Sequence, residues 1–251
     1  MINKTILKKA VKFSKLSALV YKSEEEQKRY FESKGLKHKF FDKDGTQAMA
    51  YVSPSEIGII FRGTEPNKPK DVFADLDIRR KVCTAYPQAL VHSGFQESID
   101  DIYSDLKTWI DQEQDKKQKI YVSGHSLGAA LATIAATRFD CEEVYTFGSP
   151  RVGNKKFKIS FNQTTTKHYR FVNNNDIVTT VPLPFRFKHC GEEIYINSLG
   201  IPTNAKYLKH FVKFKDKFKG RLKTYSKFKL FDGFSDHNIQ EYYKNLKKHV
   251  D

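Results

Sequence analysis

Cysteine is scarce in this chain of 251 residues, and the three present, Cys83, Cys141 and Cys190, are odd in number and form no Cys-x-x-Cys pair. That excludes a disulfide framework and a zinc site, and it fits a reducing compartment. Long apolar runs are missing as well, since none approaches the roughly 20 residues that span a bilayer. The segment Met1 to Tyr21 holds Ile6, Leu7, Val11, Phe13, Leu16 and Leu19, but lysines interrupt it throughout, so it does not read as a secretory signal. A cytoplasmic protein, peripheral wherever it meets a membrane, is therefore expected. No Pro/Gly/Ser-rich linker, internal repeat or low-complexity tract is found, and the expectation is one domain over residues 1–251. Negative charge is also in short supply: 29 acidic residues against 44 Lys and Arg leave a formal charge of +15. Such a balance suits an anionic partner such as nucleic acid, a phospholipid surface or an acidic substrate, and it also suits a merely lysine-rich soluble surface.

What is present is the composition of a globular protein, 39% hydrophobic and 14% aromatic. Its most informative stretch runs from Lys119 through Gly124-His125-Ser126-Leu127-Gly128 into Ala129-Ala130-Leu131-Ala132. A β-branched and aromatic run, a Gly-x-Ser-x-Gly turn and an Ala-rich segment reaching about Phe139 read as strand, tight turn and helix. A serine at such an apex is strained and projects its hydroxyl above the sheet, while the helix behind it aims N–H groups at a developing oxyanion. Ser126 is thus a candidate nucleophile. The pattern alone also allows an inert serine in a glycine-rich turn.

Around it, Asn3–Tyr21 reads as an amphipathic helix, and Ser23 opens a second helix with Glu24, Glu25 and Glu26 at its start. Leu36–Phe41 and Gln47–Val52 read as strands joined at Asp42-Lys43-Asp44-Gly45, and the apolar run Glu56–Phe61 as a central strand. Pro66 and Pro69 exclude a continuous helix over Glu65–Arg80, Val82–Ala85 reads as a short strand, and Phe95, Ile99, Ile102, Leu106 and Ile110 mark a long helix. Glu143–Phe147 and His168–Val172 read as later strands. Strands interleaved with helices around an apolar centre describe an α/β protein whose sheet carries helices on both faces.

A serine hydroxyl needs a base, and the base needs an acid to fix its tautomer. On sheets of this kind the partners follow in the order Ser, Asp, His, beyond the C-terminal ends of strands. Asp176, just after His168–Val172, fits the acid; it would equally serve as an Asx-turn aspartate. Of the histidines that follow, His189, His210, His237 and His249, only His237 lies in a turn feeding an amphipathic final helix with Tyr242, Tyr243 and Leu246. A loop histidine anchored by a packed helix suits the role.

The motifs Phe61-Arg62-Gly63-Thr64, Asp75-Leu76, His92-Ser93-Gly94-Phe95, Gly124-His125-Ser126-Leu127-Gly128, Thr146 to Asn154, Asn175-Asp176-Ile177-Val178, His189 with Gly191-Glu192, and His237 with Tyr242 occur in an order that resembles the class 3 lipase family. The resemblance covers about Phe61 to Tyr243. It implies an α/β-hydrolase fold with a mostly parallel sheet, and a serine carboxylic-ester hydrolase acting on acylglycerols or phospholipids without cofactor or metal. It also implies Ser126 as nucleophile, Asp176 as acid, His237 as base, and the N–H groups of Thr64 and Leu127 as the oxyanion hole, with Asp75 orienting the Thr64 hydroxyl. His92, His125 and His189 are expected to be structural.

Two stretches depart from the family. The lid position, about 65–80, holds Val72 and Phe73 among Lys68, Lys70, Asp71 and Asp77, a polar lid. Residues 205–231 carry a stripe of Tyr207, Phe211, Phe214, Phe218, Leu222 and Tyr225 amid lysines, which reads as a helix or, over Lys213–Lys219, as a strand. This basic segment would dock on an anionic membrane or form a core-facing stripe with a solvated face. Two rival functions follow: a phospholipase A preferring anionic lipid, and a basic nucleic-acid-binding or scaffolding protein. The second is weakened by dispersed basic residues and by the lack of a nucleic-acid motif.

Overall fold

Alternation along the strands decides the architecture. In the computed structural model, which describes residues 2–63, 78–115, 117–208, 212–213, 215–217 and 235–250, strands β1 (Lys37–Lys43), β2 (Thr46–Val52), β3 (Glu56–Phe61), β6 (Lys119–His125), β7 (Cys141–Phe147), β8 (Lys167–Asn173), β9 (Glu192–Ile196) and β10 (Pro202–Asn204) form one sheet in that order. The run β3-β6-β7-β8-β9 is parallel, and antiparallel pairs close both edges. Two short strands, β4 (Arg80–Val82) and β5 (Leu90–His92), pair separately.

Ile57, Ile59 and Phe61 of β3, Val122 of β6 and Val144 of β7 face one core. It is covered by α3 (Ser93–Glu113), α4 (Leu127–Ala135) and α5 (Lys155–Asn162). Ile60, Tyr121, Tyr145, Phe147 and Phe171 face the other core, under α1 (Lys4–Leu19), α2 (Glu24–Glu32) and α6 (Ile239–Lys247). Side chains alternate across a strand, so a parallel sheet buried on both faces must be apolar at nearly every position. Phe13 of α1 lies between the rings of Tyr121 and Tyr145, at centroid distances of 5.7 and 5.0 Å.

Local chemistry sets the boundaries. Asn3 caps α1 by accepting from Thr5 N–H at 2.7 Å, and Ser23 with Glu26 forms a reciprocal capping box on α2. The β1–β2 hairpin turns at Asp44 (φ 50°) and Gly45 (φ 81°), both in the left-handed region that a two-residue hairpin turn requires.

Several expected boundaries are corrected. The strand expected at Val82–Ala85 instead ends at Val82, because Cys83 and Tyr86 enter the turns that close the β4–β5 hairpin. The helix after Ser126 ends at Ala135, with Ala136 as its C-cap, four residues before the expected limit at Phe139. In the basic segment the described residues 212, 213 and 215–217 are helical. Lys213 there turns inward to the carboxylate of Glu193 and over the ring of Tyr195, so it belongs to no solvated face. Among the described residues no helix is long and apolar enough to cross a membrane.

Candidate active site

Ser126 sits between β6 and α4 with φ 59° and ψ −130°, a strained conformation that costs about 1–3 kcal/mol and persists only where the surroundings enforce it. Its N–H is held by the Phe147 carbonyl at 3.0 Å. Two glycines allow the crowding: a Cβ on Gly124 would lie 2.2 Å from the Gly128 oxygen, and one on Gly128 would lie 2.3 Å from the Phe61 oxygen. The Gly-x-Ser-x-Gly spacing is therefore a steric requirement of bringing β3, β6 and α4 together.

The other two candidates arrive from distant loops. Asp176 follows β8 in a tight turn, and His237 stands immediately before Asn238, whose side chain caps α6 by accepting from Gln240 N–H at 2.9 Å. His237 Nε2 lies 2.8 Å from Ser126 Oγ, and its Nδ1 lies 3.0 Å from both carboxylate oxygens of Asp176. All three side chains are buried. A carboxylate can only accept, so Nδ1 carries the proton and the Nε2 lone pair faces the serine hydroxyl.

Asp176 meets two further donors. Val178 N–H reaches Oδ1 at 2.9 Å, so the Asx turn weighed from the sequence is also present, made by the same carboxylate. Tyr242 Oη donates to Oδ2 at 2.5 Å while accepting the Asn173 N–H at 3.0 Å. Burial, with Asp176 beside it, pushes the Tyr242 phenol well above its ordinary range, so it remains a donor. Gly148, at φ 61°, passes directly beneath the pair, where a Cβ would lie 2.6 Å from Asp176 Oδ2.

His125 is the supporting residue expected. Its Nε2 donates to the His237 carbonyl at 2.6 Å, and its Nδ1 therefore accepts from Tyr21 Oη at 3.0 Å. Burial and the neighbouring His237 hold its pKa well below 6.5, which keeps the ring neutral. His189 bonds the Thr179 carbonyl and His249 the Gly200 carbonyl, while His210 lies outside the described residues.

Leu127 opens α4 directly behind Ser126. Thr64 and Asp75 fall outside the described residues, as do Val72 and Phe73. Gly63, next to Thr64, lies against the turn: a Cβ there would stand 2.5 Å from the His125 oxygen and 3.2 Å from Gly128 N. A cavity of about 470 Å³ opens at this end of the sheet, lined by Arg62, Gly63, His92, Phe95, Leu127 and Leu131 among others. A larger one of about 570 Å³ lies at the opposite strand ends, against Lys119, Cys141 and Lys167, away from the triad. Tyr21 and Tyr242 are the residues whose roles the sequence left unstated. Tyr242 lies on the buried face of α6 and Tyr21 in the turn just after α1, and apolar spacing does not single out a hydroxyl at either place.

Compared with known proteins, residues 58–185 match the family described as Lipase (class 3). The secreted mono- and diacylglycerol lipase 1 of Fusarium solani is 31% identical over 169 residues, covering 63% of this chain and 50% of its own length. The lipase of Rhizomucor miehei is 36% identical over 168 residues, covering 60% and 45%. In structure, the Rhizomucor miehei lipase in its propeptide complex matches with a TM-score of 0.70 at 27% identity, covering 81% of this chain and 72% of that one. The chain spans about half the length of the curated relatives it matches.

Proposed function

We propose, from the premise that this chain belongs to the class 3 lipase family and has the α/β-hydrolase fold, that it is a serine hydrolase cleaving acyl esters of glycerolipids through an acyl-enzyme. The observation that carries the reading is the unbroken line from Asp176 through His237 to the Ser126 hydroxyl, with contacts of 3.0 and 2.8 Å. In this reading His237 Nε2 takes the proton as Ser126 Oγ attacks the ester carbonyl. The oxyanion is met by the N–H of Leu127 and, by the family pattern, that of Thr64, whose hydroxyl Asp75 orients; losing one such donor costs about 3 kcal/mol of transition-state stabilisation. His237 then returns the proton to the departing glycerol oxygen, and water releases the acyl group by the same route.

The reading takes residues 1–251 as one domain with a polar lid at about 65–80. Acylglycerol is the first substrate class, in keeping with the relatives' names. A phospholipase A preferring anionic membranes is the second, favoured by the net charge of +15. The free, buried thiols of Cys83, Cys141 and Cys190 support a cytoplasmic setting. Purified protein is expected to hydrolyse p-nitrophenyl acyl esters and to be labelled by a fluorophosphonate, and Ser126→Ala is expected to abolish labelling and to lower kcat about 10⁶-fold. Failure of both turnover and labelling in the parent chain would end the proposal. Fatty-acid release from phosphatidylglycerol vesicles against tributyrin emulsions separates the two substrate classes.

A further inference from the structure

Beside the triad the surface carries a rim that the chemistry leaves unused. Four large apolar side chains stand in water there: Ile78 is 53% exposed, Val82 52%, Leu183 57% and Phe185 74%. They belong to two short segments, Ile78-Arg79-Arg80-Lys81-Val82 and Pro182-Leu183-Pro184-Phe185-Arg186-Phe187-Lys188, that are far apart in sequence.

The fold joins them. Lys81 pairs across β4–β5 with Val91, Val91 bridges to Gly153, and Gly153 bridges to Lys188. At about 4.8 Å per step this row sets the two segments about 14 Å apart. Lys81 turns back to Glu97 on α3, 3.6 Å away, so Arg80 and Val82 project outward by strand alternation. The other segment is built to hold its tips out. Arg151 ties down the carbonyls of Thr180 and Pro182, and Phe187 N–H bonds the Leu183 carbonyl at 3.2 Å. Phe187 is buried, whereas Leu183 and Phe185 are exposed. The segment begins a few residues after Asp176, so the rim borders the candidate active site.

Charge decides what the rim fits. Stretches 78–96, 144–175 and 177–191 contain no acidic residue; the carboxylate that the rim meets on α3, Glu97, is paired with Lys81, and Asp176 is buried and engaged by His237 and Tyr242. Apolar tips interleaved with Arg80, Arg186 and Lys188 require a partner offering negative charge at its surface and hydrocarbon beneath. Nucleic acid supplies the first only, and three of the four tips are aliphatic, with no face for a base to stack on. A neutral oil surface supplies the second only.

We propose that this rim is a docking surface for anionic phospholipid bilayers, with Leu183 and Phe185 entering the interface and Arg80 and Arg186 contacting headgroups. The idea rests on the glycerolipid-ester reading only for why lipid would be met at this end of the sheet. Its test therefore uses the Ser126→Ala chain, so that vesicle binding and hydrolysis fail independently. In vesicle flotation the chain is expected to bind equal mixtures of phosphatidylcholine and phosphatidylglycerol, to ignore phosphatidylcholine alone, and to be released by salt. Arg80→Gln with Arg186→Gln should weaken binding about 25-fold, taking about fivefold per cation. Leu183→Ser with Phe185→Ser should weaken it about tenfold or more. Thermal unfolding at the parent temperature shows that these variants fold. Should one not fold, Phe185→Trp reports independently, its emission shifting to the blue on anionic vesicles alone. The proposal is overturned by equal binding to both vesicle types, by an unshifted tryptophan, or by rim variants that bind like the parent while Lys219→Gln with Arg221→Gln and Lys223→Gln does not. Salt-sensitive binding to single-stranded DNA without vesicle binding would also overturn it, in favour of a nucleic-acid partner.

Discussion

Acid should unfold this protein steeply, because three of its histidines are buried where a proton is unwelcome. Burial lowers the pKa of all three: His125 and His189 fall well below the ordinary 6.5, and His168 falls to about 3. His237 adds to the effect at His125, and Arg170 adds to it at His168 and His189. Nδ1 of His168 and of His189 has no hydrogen-bond partner, so a proton added there would be a buried charge without an acceptor. The unfolded chain takes these protons near pH 6.5 and the folded chain refuses them until far lower. Stability is therefore unaffected well above pH 6.5 and falls as the pH drops below it. Once all three are protonated in the unfolded state the slope is about 4 kcal/mol per pH unit, at about 1.36 for each proton. Glu193, held at about 2 because Arg170 and Lys213 outweigh the opposing effect of its burial, adds a loss of the same sign below about pH 4.5. A stability of about 6–11 kcal/mol, within the ordinary range for a domain, would be exhausted between about pH 5 and 4. Urea unfolding followed by far-ultraviolet circular dichroism at half-unit steps from pH 7.5 to 4.5 measures the slope, and His168→Gln should reduce it by about a third whatever it does to the stability itself. A slope below about 1.4 kcal/mol per pH unit between pH 6 and 5, less than one proton, would refute the reasoning.

Tyr242→Phe removes the hydroxyl between Asn173 N–H and Asp176 and leaves a buried N–H unpaired; kcat on a soluble ester is expected to fall about tenfold with KM unchanged, and stability by about 1–3 kcal/mol, and an unchanged kcat would remove Tyr242 from the positioning of the acid. Tyr21→Phe takes the donor from His125 Nδ1 and should lower kcat about fivefold, with the rate of fluorophosphonate labelling falling in parallel; a change in KM alone would point to substrate contact instead. Gly148→Ala must place a Cβ 2.6 Å from Asp176 Oδ2 and 2.9 Å from His237 Nδ1 at a φ of 61°, and it should cost at least about 100-fold in kcat, since small misplacements of reacting groups are that expensive.

The parts of the site that the sequence revealed are those governed by local sterics. Gly124 and Gly128 are small because Gly128, Phe61 and their neighbours crowd the turn, and such a demand is written in adjacent letters. The pairing of Asp176 with His237 spans 61 residues; it was legible because chain order on a parallel sheet limits the choice and the family resemblance points to the same two residues. Helix α5 escaped notice because its burial rests on Phe157 and Phe161 amid lysines, too little pattern to distinguish from a loop. Strand β9 opens on the charged pair Glu192-Glu193, which turns its start away from an apolar reading. Lys213 looked like part of a solvated face because its partner Glu193 lies 20 residues earlier, beyond the reach of periodicity. The hydroxyls of Tyr21 and Tyr242 were hidden for a different reason, since hydrophobic spacing weighs tyrosine and phenylalanine nearly alike.

That last point bears on what the family-matched middle of the molecule can do by itself. The span matching the family, residues 58–185, contains Ser126 and Asp176 but not His237, Tyr242 or Tyr21. The missing members come from the two ends of the chain, and those ends meet in one place: α1, which leads into Tyr21, and α6, which follows His237, contribute to the same core against Tyr145, Phe147 and Phe171. His237 is thus fixed twice. Asp176, itself held by the Tyr242 hydroxyl, meets its ring from the sheet side, while the Tyr21–His125 pair grips its backbone carbonyl. A fragment limited to 58–185 would keep Ser126 and Asp176 without His237 between them, and would lack α1, α2 and α6, the helices that cover the second core. Shortening the N-terminus past Tyr21 is the subtler case: every triad member is retained, yet the His125 ring loses its donor and the core loses Leu7, Phe13 and Leu16. The N-terminal helix, although it lies outside the matched span and far from Ser126 in sequence, is therefore a working part of the site.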